Sequence, residues 1–289
     1  MDEVRLRAPA KINLFLEIKG GRGDGYHDIV TLFYEIGLCD EIVMRRAEGE
    51  TVLRISSPGG ITVPEGPDNL CLRALDALRA EAGIETRFEV ELKKRIPPGA
   101  GLGGGSTDAA AVIKGANQLC GRGLNEYEME RIAGKVGSDA PFFVRGGAAI
   151  GRGRGAELER VNTFKGEYWA VLAKPDFPVS TEWAYGQAGN YRGVRELDAE
   201  EVSAGFSAGD RDYLEGLLFN AFEDIVFPRH PELKSLKERL IGAGCRGALL
   251  CGSGSAVFGL CHSKGEAEKA LERLADLEGL EMIEVCRLA

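Results

Sequence analysis

The chain has 289 residues, enough for one large or two modest domains with cores of their own. Hydrophobic residues make up 44% and charged residues 28%, an ordinary globular balance, and a net charge of −9 argues against a general nucleic-acid or anionic-membrane surface. An anionic ligand would have to be met locally.

The opening "MDEVRLRAPAKINLFLEIKG" has an acidic start and a short apolar run broken by Lys11 and Asn13, so it reads as neither a signal peptide nor a membrane span. Its alternation predicts a strand over 6–20, with Lys11, Asn13 and Phe15 on one face and Ile12, Leu14 and Leu16 on the other. The glycine-rich turn "GGRGDGYHD" follows, then strands at "IVTLFYEIGL", "DEIVMRRA" and "TVLRISS". "NLCLRALDALRAEAG" is an amphipathic helix stopped by Gly83, and "TRFEVELKKRI" alternates as a half-buried strand.

Next comes "PPGAGLGGGSTDAAAV", in which Gly99, Gly101, Gly103, Gly104 and Gly105 lead straight into a helix marked by Ala109, Val112, Ile113, Ala116 and Leu119. Glycine loses the most freedom on folding, so such a cluster costs stability. A plain flexible turn competes with a loop whose bare amides wrap an anion at a helix N-terminus, and the strand–loop–helix order favours the second. Ser106 or Thr107 is the expected N-cap. The string GAGLGG fits the dinucleotide pattern, but "KKRIPP" separates it from the preceding strand, and the G-x-x-x-x-G-K-[ST] pattern is absent, leaving a third type of phosphate loop.

Further on, "LNEYEMERIAGKVG" is a short helix capped by Asn125 with Glu128 in the capping-box position, and "GSDAPFFVRGGAAIGRG" runs from a tight turn into a strand. The texture changes around 155–165. "EYWAVLAKP" opens a strand, "DFPVSTEWAYGQ" a loop and short helix, and Tyr191–Asp210 is polar and expected to be partly irregular. Helices follow at "RDYLEGLLFNAFEDIVF" and "HPELKSLKERLIGAG", the second with Pro231 at its first position. The chain ends with strand–turn–strand "RGALLCGSGSAVFGLC", helix "SKGEAEKALERLADLEG" and strand "MIEVCRL". The mixed order points to two α+β domains and not to a doubly wound parallel sheet. Seven cysteines without a C-x-x-C pair read as buried free thiols of a reducing compartment, and His27, His230 and His262 lack metal-ligand spacing.

With these pieces in place the sequence resembles the GHMP kinase superfamily, the group of galactokinase, homoserine kinase and mevalonate kinase. Three signatures stand in that family's order: "PAKINLFLEI", "PPGAGLGGGSTDAA" and "LLCGSGSAVFGL". "GGRGDGYHDIVTLF" and "GSDAPFFVRGGAAIGRG" make it similar to the diphosphocytidyl-methylerythritol kinase branch. The resemblance implies a two-domain fold, with an N-terminal ATP-binding domain at 1–157, a C-terminal α/β sandwich-like domain at 158–289, and the active site in the cleft between them. It implies ATP-dependent phosphorylation of the 2-hydroxyl of 4-diphosphocytidyl-2-C-methyl-D-erythritol in non-mevalonate isoprenoid precursor synthesis. Another small-molecule kinase of the homoserine or mevalonate type, or a non-catalytic nucleotide-binding regulator, remains open. The expected partners are ATP with Mg²⁺ and the cytidyl substrate, with no nucleic acid and no membrane, in a cytoplasmic (or plastid-stromal) monomer or weak homodimer.

The residues carry over one by one. The Asp139 position matches the family's proposed base, and Lys11 the lysine that orients it and steadies the reacting hydroxyl. ATP is expected at Asn69 and Lys94, near the adenosine, and along Pro98, Gly99, Ala100, Gly101, Leu102, Gly103, Gly104, Gly105, Ser106, Thr107 and Asp108. The Ser106 and Thr107 hydroxyls are candidates for phosphate oxygens or Mg²⁺; as residues alone, each is also a plain helix cap. Asn13, Tyr26, His27, Tyr185, Gly252, Ser253 and Gly254 are the expected substrate contacts, His27 on the cytosine edge and Tyr185 stacking on the base. The family loop commonly has two serines before Asn or Asp; here it reads Ser106-Thr107-Asp108, which keeps both hydroxyls. The galactokinase N-terminal signature is missing, which speaks against a simple sugar substrate.

Overall fold

The computed structural model describes residues 2–189 and 191–289. Strand β1 (Glu3–Gly21) is buried on both faces, every side chain from Ala10 to Ile18 being covered, which is why Lys11 and Asn13 must find polar partners inside the protein. The two strands expected next are one, β2 (His27–Ala47). Gly37 does not break it, and its backbone stays within the strand.

Internal contacts divide the chain into two compact units, Met1–Ala10 with Leu38–Pro98 and Gly103–Gly146, and Lys11–Gly37 with Gly99–Leu102 and Gly147–Ala289. In the first unit, β3 (Val52–Ser56) is followed by α1 (Leu70–Ala82), β4 (Arg87–Lys93), α2 (Gly104–Cys120), α3 (Glu126–Ala133) and the short α4 (Phe142–Arg145). β4 runs antiparallel to β2, with Glu41 opposite Lys93 and Ala47 opposite Arg87, and parallel to β3. α1 ends at Gly83 in the left-handed conformation, as its sequence predicts, and α3 has the full capping box between Asn125 and Glu128. The alanines of α2 are buried along its length, small enough to let it pack against α1.

The second unit contains β5 (Ala148–Arg152), β6 (Glu157–Val161), β7 (Trp169–Pro175), α5 (Thr181–Ala188), α6 (Ala199–Ala208), α7 (Arg211–Gly216), β8 (Phe219–Asn220), α8 (Phe222–Val226), α9 (Pro231–Gly242), β9 (Gly247–Leu250), β10 (Val257–Cys261), α10 (Lys264–Arg273) and β11 (Leu280–Arg287). β5 pairs with the first half of β2 and with β6; the other sheet has the antiparallel order β11-β7-β10-β9. The polar stretch Tyr191–Asp210 is partly irregular, as expected: 191–198 has no regular element, and α6 follows, capped by Asp198 and buried through Val202 and Phe206. One expectation needs correction here. The single helix expected from Arg211 to Phe227 is split, because Phe219 and Asn220 pair in parallel with Phe15 and Leu16. Among the described residues none of the seven cysteines forms a disulfide, and no helix is long and apolar enough to cross a membrane.

Candidate functional site

The glycine loop ends where α2 begins, at Gly104 and not at Ser106 or Thr107. Its N-cap is Gly103, held left-handed at φ 76° and ψ 18°, and no side chain caps the helix. Glycine takes that backbone without strain but has no oxygen to offer, so the first-turn amides are not met by a capping side chain. Ser106 and Thr107 therefore lie in the first turn, as extra groups beside the amides. Thr107 Oγ1 is buried and has no hydrogen-bond partner. Such an atom costs about 1–3 kcal/mol unless something else supplies a partner.

Beneath this turn lies a buried charge cluster. Lys94 Nζ donates to Asp108 Oδ2 at 2.7 Å and to Asp40, all three residues being almost wholly covered. Asp40 Oδ1 also accepts from the Arg95 and Ile96 amides, which fixes the chain just before the loop. Burial pushes the Asp108 carboxyl up, to about 8, and nearby Asp40 adds to this against the pull of Lys94. Burial alone would lower Lys94, but the two carboxylates outweigh it and raise the ammonium above its usual value. One cation serves two acids. A Cβ on Gly104 would come within 3.0 Å of Lys94 Nζ, so the cluster sits directly against the helix start. Lys94→Met leaves both acids buried without their cation, and we expect a loss of about 3–5 kcal/mol in urea unfolding. Part of this should return as pH falls and Asp108, whose carboxyl burial already pushes up, takes up its proton. A loss below about 1 kcal/mol would mean that solvent already screens the cluster.

Asp139 lies in the turn between α3 and α4 and is half-buried. Its segment runs beside the loop: a Cβ on Gly137 would be 3.5 Å from Ser106 Oγ. Asn69 is the N-cap of α1, its Oδ1 accepting from the Cys71 amide and its Nδ2 donating to the Pro64 carbonyl.

In the second unit, Gly99–Leu102 is stitched to the turn of the β9–β10 hairpin. The Ser255 amide donates to Gly99 O, the Ala256 amide to Ala100 O, and the Lys11 amide to Leu102 O. Gly101 is where this approach is closest, since a Cβ there would lie 1.8 Å from the Cys251 carbonyl oxygen. We expect Gly101→Ala to force the loop off the hairpin and to raise the Michaelis constant for ATP steeply, beyond the roughly 1–3 kcal/mol of stability that overpacking costs. If stability fell while that constant held, the loop would be a turn and nothing more.

The same neighbourhood contains the expected lysine. Lys11 Nζ donates to Asn13 Oδ1 at 2.8 Å, Asn13 Nδ2 donates to Thr31 Oγ1 at 2.7 Å, and the Thr31 hydroxyl donates to the Phe15 carbonyl. A Cβ on Gly252 would lie 3.6 Å from Asn13 Oδ1, so the first and third motifs meet. Asn220 donates to the Leu250 and Gly252 carbonyls and fixes the hairpin turn, while Ser253 Oγ is 3.0 Å from Thr181 Oγ1. Gly254 is left-handed at φ 92°. The His27 and Tyr185 rings lie 5.2 Å apart, and Tyr185 meets Phe222 edge-on. His27 Nδ1 is buried without a partner, and Tyr26 is 50% exposed with the Arg154 guanidinium 3.4 Å from its ring centroid.

The chain is similar to known proteins along nearly its whole length. The family described as GHMP kinases N terminal domain matches residues 69–147, and GHMP kinases C terminal matches 199–278. The 4-diphosphocytidyl-2-C-methyl-D-erythritol kinase of Gloeobacter violaceus is 40% identical, covering 99% of this chain and 95% of that protein. The chain belongs to the 4-diphosphocytidyl-2-C-methyl-D-erythritol kinase family of GHMP kinases. The Moorella thermoacetica member is 39% identical over 96% of each chain. A crystal structure of a 4-(cytidine 5'-diphospho)-2C-methyl-D-erythritol kinase superposes with a TM-score of 0.81 at 32% identity, covering 99% of both chains. The L. major mevalonate kinase, with a TM-score of 0.74 at 16% identity, shares the fold alone. Against this family frame, sequence reading overlooked Asp40, Thr31 and Asn220. All three are ordinary strand residues whose partners are distant along the chain: Thr31 and Asn13 are separated by 18 positions, Asn220 and Leu250 by 30, and Asp40 and Lys94 by 54.

Proposed function

We propose that the chain phosphorylates the 2-hydroxyl of 4-diphosphocytidyl-2-C-methyl-D-erythritol with ATP, as an N-terminal ATP-binding domain over 1–157 and a C-terminal domain over 158–289. The two family matches fall on either side of that division. The observation that carries the reading is the start of α2, which has no side-chain cap and holds the buried, unpartnered Thr107 hydroxyl. A helix end of this kind is complementary to phosphate.

Phosphoryl transfer asks a protein mainly for positioning and charge stabilisation. The amides from Gly101 to Ser106 would receive the ATP phosphates, with the α2 dipole behind them and Pro98 to Ala100 leading in. Asp108 and Lys94 would act from beneath by holding the loop, and Asn69 by placing the start of α1 near the adenosine. Asp139 is assigned the proton of the acceptor hydroxyl, and Lys11, set by Asn13, the cation that steadies the transfer. His27 and Tyr185 would hold the cytosine, with Tyr26, Gly252, Ser253 and Gly254 along the substrate.

Mg²⁺ fits this scheme as a companion of ATP. Among the described residues no three His, Cys, Asp or Glu side chains gather to hold a metal, whereas the Ser106 and Thr107 hydroxyls stand at the phosphate loop. Those hydroxyls, with the phosphates, would hold the ion, which supplies charge neutralisation on the phosphate oxygens. The test is coupled ADP release with the cytidyl alcohol, homoserine and mevalonate. Turnover with the cytidyl alcohol alone is expected; equal or better turnover with either other alcohol would overturn the substrate assignment.

A further inference from the structure

Arg154 is exposed on the turn between β5 and β6, and its place is fixed. The Ile29 amide donates to the Gly153 carbonyl at 2.8 Å, which ties this turn to the segment carrying Tyr26 and His27. The guanidinium lies 3.4 Å over the Tyr26 ring centroid, so one of its faces is used. Face stacking leaves the edge donors in the guanidinium plane free, and that fork is the part that matches a phosphate.

The neighbouring arginines are spent differently. Arg22 pairs with Asp24 and Asp28, and Arg152 with Glu196 and the Leu197 carbonyl. Among the described residues Arg154 has no carboxylate within ion-pairing distance, although the chain is net acidic. Asp24 is close enough to feel it, but that carboxyl is held down first by the Tyr26 amide and then by Arg22. An exposed cation resting on a half-exposed ring adds little to folding. Beside it His27 Nδ1 is buried without a partner. The two unspent groups differ in chemistry, one suited to a base edge and the other to an anion.

We propose that Arg154 is a specificity residue that receives the diphosphate of the substrate, held for that task by the Tyr26 ring. This rests on the cytidyl reading given above. It adds that the segment from Tyr26 to His27 and the β5–β6 turn together read a nucleoside diphosphate, and not a nucleoside alone.

The test uses calorimetric titration of the full chain, wild type, Arg154→Ala and Arg154→Lys, with cytidine and with cytidine diphosphate at low and high salt. In the wild type the diphosphate should bind more tightly, with an advantage that shrinks as salt rises. Arg154→Ala should weaken the diphosphate on the order of 10- to 100-fold while leaving cytidine nearly unchanged. Arg154→Lys should recover part of the loss, since it keeps the charge without the fork. Equal weakening of both ligands in Arg154→Ala would show an arginine that only props Tyr26, and an unchanged diphosphate affinity would remove it from the site; either result overturns the inference. A wild type that binds cytidine but gains nothing from the diphosphate overturns it as well, with the cytidyl reading intact. A wild type that binds neither ligand overturns both.

Discussion

Asp139→Asn is expected to remove most turnover, on the order of 10²–10⁴-fold, while ATP still binds. The amide keeps the size and shape of the carboxylate but cannot take up a proton from the acceptor hydroxyl. Lys11→Ala should do comparable damage through a different route. It removes a buried ammonium and strips Asn13 Oδ1 of its donor, so the hydrogen-bonded chain from Lys11 through Asn13 to Thr31 loses its first member. Because an unpaired buried acceptor costs about 1–3 kcal/mol, rates must be compared well below the melting temperature of each variant. If both residues serve the same transfer step, the double variant will be little slower than either single one. Multiplicative losses would mean that they act in separate steps. Near-normal turnover in Asp139→Asn would sink the base assignment outright.

Much of the local architecture was legible in the sequence because it is written by short-range rules. Gly83 and Gly121 end their helices left-handed, Asn125 and Glu128 close a capping box, and Pro231 opens α9, all within four residues of the element they define. The glycine loop and the helix after it were legible for the same reason, although the helix starts two residues before the expected cap. Ser, Thr, Asp and Asn are the usual N-caps, whereas here a left-handed Gly103 stands at the cap and the helix begins without one. What escaped depends on distant partners. Nothing near Asp40 announces that Lys94 will reach it, and nothing in "LLFNAFED" reveals that Phe219 and Asn220 will leave a helical pattern to pair with β1. Tertiary pairing overrides local propensity at these points. Arg154 was overlooked because an arginine in a glycine turn has no signature until the ring beneath it is placed.

His27→Ala is expected to erode the preference for a cytidyl over a uridyl substrate, and Tyr185→Ala to leave that preference intact. Cytosine offers an amino donor and a ring-nitrogen acceptor where uracil offers a carbonyl acceptor and an N–H donor, so a partner suited to one faces a like group in the other. His27 Nδ1 is buried and has no partner in the protein, and burial is what makes a mismatch there expensive. Sites that read such bonds can discriminate by roughly 10⁴-fold, since the wrong ligand leaves both groups desolvated and unpaired. Tyr185, 5.2 Å from the His27 ring and edge-on to Phe222, is expected to offer the base its π-face. Either pyrimidine would stack there, for about 0.5–1.5 kcal/mol, so its loss should weaken both substrates alike. The measurement is the ratio of kcat/KM for cytidyl and uridyl substrates in the wild type and the two variants. A ratio unchanged by His27→Ala would leave His27 either on the carbonyl that both bases share or outside the base site. The narrow selectivity would then have to come from other groups of the base site.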